Sequence, residues 1–179
     1  VPATTRSFPG PTAPTVRAGV LTMAMAAVGV LGGCQSAVEV DPGPTASAPV
    51  CAEVLRALPD ELAGAERRST TSQASAAWGE DPAITLRCGV QPPGPTTDRC
   101  ITAEAANGTS VDWVVTELGD VEGGWQFTTY GRVPAIELTV PVFHAGNASD
   151  ADPTTLLVDL GEAVDIIGAE RSCLGLDDV

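Results

Sequence analysis

The chain has 179 residues and a formal net charge of −14, from nine basic residues, all arginine, against 23 acidic ones. Such an acidic balance repels nucleic acid and anionic lipid headgroups, so neither is expected as a partner. One histidine, five cysteines and no C-x-x-C motif also argue against a zinc centre.

Residues 1–17 are polar and Pro-rich, with Arg6 and Arg17 as their only charges. The uncharged run "AGVLTMAMAAVGVLGG" follows at 18–33. As a helix it spans about 24 Å, short of the ~30 Å hydrocarbon core of a bilayer. A positive start, a short apolar stretch and a small-residue exit describe a secretory signal over 1–33. Leu31-Gly32-Gly33-Cys34 resembles the lipobox of bacterial lipoproteins. Cleavage before Cys34 would leave its thiol to carry diacylglycerol, with palmitate-type chains anchoring the protein on the extracytoplasmic face of the cell membrane. Loss of Arg6 and Arg17 takes the charge to about −16. Residues 34–50, the lipidated cysteine and "QSAVEVDPGPTASAPV", read as a Pro-rich tether reaching up to ~50 Å. Residues 51–176 then form one globular domain, with no internal repeat.

Within the domain, "PVCAEVLRALP" (49–59) reads as a short helix with Cys51, Val54, Leu55 and Leu58 on one face. "AITLRCGV" (83–90) alternates as a strand, with Ile84, Leu86, Cys88 and Val90 facing one way and Thr85 and Arg87 the other. "CITAEA", Asn107-Gly108 and "SVDWVVTEL" suggest a hairpin. "WQFTTYGR" (125–132) and "AIELTVPV" (135–142) complete the strands, Pro141 requiring a strand end or an edge. The stretch 152–168 reads as a helix capped by Asp152, opened by Pro153 and stopped by Gly168. Its Leu156, Leu157, Leu160, Val164 and Ile167 share one face. The expected fold is α+β: an antiparallel sheet of four to five strands, with N- and C-terminal helices on one face and disulfide staples.

Cys51, Cys88, Cys100 and Cys173 are an even set in an exported domain, which argues for two disulfides. Of the three possible pairings, Cys88–Cys100 is expected because it brackets "GVQPPGPTTDR", and Cys51–Cys173 because it would clasp the domain ends. No histidine near a cysteine in sequence marks a thiol catalyst, and His144 reads as a solvated loop residue. Asp150 and Asp152 lack the spacing of a calcium loop, so no metal or cofactor is expected.

The blocks "AAWGEDPAITLRCGV", "VDWVVTEL" and "FTTYGRVPAIELTVP" resemble an actinobacterial family of predicted lipoproteins, the domain of unknown function DUF3515. The resemblance covers most of residues 51–173. It implies export in a high-GC Gram-positive bacterium and no activity, so no catalytic residue can be carried over. The G-x-S-x-G, S-x-x-K, H-E-x-x-H, P-loop and dinucleotide motifs are absent. Trp78, Arg87, Tyr130 and Arg132 are the ligand-site candidates, since arginine and aromatic groups together stack on and hydrogen-bond ligands. The expected function is a lipid-anchored envelope protein that binds a ligand or protein without catalysis. The alternative is a wall-acting hydrolase with paired carboxylates.

Overall fold

A computed structural model describes residues 36–119, 123–142 and 153–174, with Gly10, and the fold lies in the compact unit Cys34–Val179. Cys34, the expected signal, His144, Asp150 and Asp152 lie outside the described residues. Helix α1 (Pro49–Ala57) is followed by β1 (Glu61–Leu62), β2 (Ala65–Arg68), β3 (Ser75–Trp78) and β4 (Ile84–Val90). Then come β5 (Cys100–Glu104), β6 (Ser110–Glu117), β7 (Gly124–Thr129), β8 (Ala135–Pro141) and helix α2 (Thr155–Asp165). The strands form one antiparallel sheet in the order β1-β2-β3-β4-β8-β7-β6-β5.

The five expected strands are present, but the sheet has eight, correcting the count of four to five. The additions, β1 to β3, carry no alternating signal. β3 is Ser-Ala-Ala-Trp, buried at every position, and β2 is Ala-Glu-Arg-Arg. Pro141 ends β8, where its missing donor is harmless. Helix α2 starts at Thr155 behind Thr154, rather than at Pro153, and ends at Asp165, before Gly168.

Both helices pack on one face of the sheet. That face carries Trp78, Ile84, Leu86, Cys88, Trp113, Phe127, Ile136 and Leu138, in register across the strands. Cys51, Val54 and Leu58 of the α1 segment meet it, with Leu156, Leu157, Leu160, Val164 and Ile167 from α2. Burying each large aliphatic side chain stabilises the fold by about 1.5–3 kcal/mol. Thr129 is the polar exception, and its Oγ1 accepts a hydrogen bond from the Ile136 amide at 2.9 Å.

The segment expected to be a free tether is docked from Ser36 onward. The Val38 amide donates to Ser69 O at 2.9 Å, and the Thr71 amide donates to Val38 O at 3.0 Å. Arg68 reaches Ser36 O from Nη2 at 2.9 Å. The Thr45 amide and hydroxyl both donate to Gly89 O, at 2.9 and 3.0 Å. Gly89 has φ +92°, and a Cβ there would lie 2.5 Å from Ala46 N, so only glycine admits this approach. Proline-rich composition removed periodicity from the segment but left its backbone groups free to pair with the domain.

Two disulfides form among the four expected cysteines, but both expected pairings are corrected. Cys51 pairs with Cys88, and Cys100 with Cys173, at Cα–Cα distances of 5.6 and 6.2 Å. Cys88 and Cys100 are close in sequence, yet four inter-strand steps separate β4 from β5. That is about 19 Å, far beyond the reach of a disulfide. The two residues also point to opposite faces: Cys88 lies beneath α1, and Cys100 lies on the helix-free side.

Candidate functional site

The helix-free face, the one that neither α1 nor α2 covers among the described residues, is built by the alternate residues of the same strands. Along one transverse row, Ser75, Arg87, Glu137, Thr128, Val114 and Cys100 stand opposite one another, from β3 to β5. From Arg87 to Cys100 this lane measures about 19 Å. Beside it runs a second row of Thr85, Thr139, Gln126 and Thr116. Most of these side chains are half-buried by their neighbours, making a close-set polar pavement. Arg87 Nε donates to Glu137 Oε1 at 2.6 Å, so the two charges on the lane neutralise each other.

At its β5 end the lane meets the C-terminal segment. After α2 the chain pairs Ala169 with Arg132 in an antiparallel bridge, and the Glu170 amide donates to Gly131 O at 2.7 Å. Gly131 has φ +71°, and a Cβ on it would overlap the Arg171 carbonyl. The segment then reaches Cys173, whose amide donates to Asp112 Oδ2 at 2.7 Å and whose sulfur is bonded to Cys100. Asp112 Oδ1 accepts from the Thr102 hydroxyl at 2.6 Å. Both oxygens of this carboxylate therefore hold structure in place. The result is a strap, residues 169–173, fastened across the end of the open face.

Two hollows of about 320 Å³ each flank the strap. Both are lined by Tyr130, Ser172 and Cys173. Thr96, Thr97 and Asp98 add to the first; Thr102, Ser110 and Arg171 add to the second. The first is also lined by Val114 and Cys100, so it opens onto the transverse lane. Among the described residues, no group of three or more His, Cys, Asp or Glu side chains is placed to hold a metal ion.

The four side chains singled out from the sequence separate. Trp78 is fully buried on the helix-covered face, with Nε1 donating to Pro59 O at 3.1 Å, so its ring offers no surface to a ligand. Arg132 is buried as well and hydrogen-bonds Ile167 O, Ser110 O and Asp165 Oδ1. Its role is to tie the end of α2 to the sheet. Arg87 and Tyr130 do lie on the open face, at opposite ends of the lane. The strap residues Ser172 and Arg171 were missed, because nothing in "GAERSCLGL" signals a return to the sheet. Only the pairing of Cys173 would have revealed it.

The sequence model of a family described as a protein of unknown function (DUF3515) matches residues 13–166. No curated protein and no solved structure matches the chain.

Proposed function

We propose that this chain, which belongs to the DUF3515 family, is a lipid-anchored extracytoplasmic module of the cell envelope that binds its ligand along the helix-free face of its sheet. One observation supports the binding reading: a polar lane whose β5 end meets two hollows, on a face that neither of the two described helices covers. The anchor is supported by "VLGGC" behind an uncharged apolar run. Lipid on Cys34 would enter two residues before Ser36, where the chain already bonds Arg68 of β2. Two residues span at most about 7 Å, so the β2 end of the sheet would stand close to the bilayer. The β5 end, with its hollows, lies six strand spacings away, about 29 Å along the sheet. In this arrangement the anchor and the binding surface occupy opposite ends of one rigid element, and the ligand approaches from the envelope side.

Detergent-phase partitioning from the native host tests the anchor, with wild type beside Cys34→Ser. Wild type is expected in the detergent phase as a processed form, and Cys34→Ser in the aqueous phase. Recovery of both in the aqueous phase would refute lipid anchoring.

A further inference from the structure

We propose that the ligand of the open face is a neutral oligosaccharide chain, with sugar rings seated in the two hollows against Tyr130. This rests on the reading of that face as a binding surface. Every strong charge along the lane is already answered within the protein: Arg87 by Glu137, and Arg132 by two carbonyls and Asp165. Asp112 is answered on both oxygens. Among the described residues lining the hollows, what remains is one exposed charge of each sign, Asp98 beside the first and Arg171 beside the second, with exposed Glu104 opposite Ser110 at the sheet edge. An anionic or cationic ligand would find no cluster of opposite charge, whereas a neutral one loses nothing by that.

Beside the apolar Pro95, Val114, Ala169 and Leu174 and the disulfide, the rest of the lining is mostly hydroxyl. Thr96, Thr97, Thr102, Ser110 and Ser172 carry groups that both donate and accept, as sugar hydroxyls do, so pairs can form in either sense. Tyr130, shared by both hollows, supplies an apolar ring with a polar tip, suited to the C–H face of a pyranose. Each hollow lies at the small end of the usual ligand-pocket range of about 300–1,000 Å³. Two such hollows, continued by Thr128 on the lane and by the threonines of the row beside it, fit a chain of rings better than one compact ligand.

The test applies the full chain carrying Cys34→Ser to an array of neutral and charged glycans, beside the same chain with Tyr130→Ala or Thr128→Trp. Non-reducing mass and an unchanged unfolding midpoint control for folding. The expected result is retention on neutral glycans. Titration of the strongest binder should then show about tenfold weaker affinity for Tyr130→Ala, the size of one lost aromatic contact. Thr128→Trp, which raises a bulky ring in the lane, should weaken longer chains more than short ones. Retention on anionic glycans only, or affinity indifferent to both substitutions, would overturn the assignment. If no glycan is bound, the sugar assignment falls, and delipidated envelope from the host then separates it from the broader reading. Retention there that Thr128→Trp abolishes leaves the binding surface standing; no retention removes both.

Discussion

The guanidinium of Arg132 is enclosed by Ile167 O, Ser110 O and the Asp165 carboxylate, with the residue only 2% exposed. Removing it would strand two carbonyls, which is the expensive way to lose a hydrogen bond. Arg132→Ala is therefore expected to lower stability by about 2–4 kcal/mol in chemical denaturation. Asp165→Asn should cost under about 1 kcal/mol, because that carboxylate's side chain is 49% exposed and water replaces the lost charge pair. Equal effects from the two substitutions would contradict this division of roles. Tyr130, one residue beyond β7, contributes its backbone amide to Asp112 O at 2.8 Å, a bond that Tyr130→Ala keeps. Stability and the proposed binding are thus separable within three residues of sequence. Arg132 and Tyr130 look alike in the sequence, as polar neighbours ending a strand. Only the position of α2 makes one of them structural.

At the scale of elements, α2 approaches β5 closely at Gly161, where an added Cβ would stand 2.7 Å from the Ala105 Cβ. Gly→Ala inside an exposed helix is normally favourable by roughly 1 kcal/mol. Here Gly161→Ala is expected to lower the denaturation midpoint, and Ala105→Gly added to it to recover most of the loss. A midpoint raised by Gly161→Ala alone would refute the close approach. The two disulfides differ in access. Cys51 and Cys88 are fully buried, whereas Cys100 and Cys173 are half-exposed at the strap. Exchange requires a thiolate to reach a sulfur, so graded reduction followed by alkylation should free Cys100 and Cys173 first. Earlier labelling of Cys51 and Cys88 would contradict the burial. The long alternating strands were legible in the sequence because one of their faces is polar and the other apolar: "AITLRCGV" and "AIELTVPV" declare both faces. β3 is buried at all four positions and β2 is mostly charged, so period-two reasoning had nothing to detect there.

At the scale of the whole molecule, connectivity decides what spacing along the chain cannot. β8 inserts between β4 and β7, which carries Cys88 and Cys100 apart although they bracket a short loop. The open face was legible as a set of outward residues, Thr85 and Arg87 among them. Its end was not, because the strap returns to it from beyond α2. The same architecture places the docked N-terminal segment at the β2 end and the hollows at the β5 end. With a net charge of −14, the chain carrying Cys34→Ser should have no electrostatic affinity of its own for anionic vesicles. Cosedimentation at low and physiological salt should leave it in the supernatant; pelleting that fades with added salt would point to an electrostatic membrane surface instead.

The C-terminal segment is fastened across the open face and makes the hollows beside Tyr130. Non-reducing tryptic mapping tests it most directly, since Arg56, Arg87, Arg99, Arg132 and Arg171 put the four domain cysteines on four different peptides. Peptide 100–132 is expected joined to 172–179, and peptide 88–99 joined to the one that ends at Arg56. Finding 88–99 joined to 100–132, with 172–179 joined to the Cys51 peptide, would remove the strap from the open face and the proposed binding surface with it.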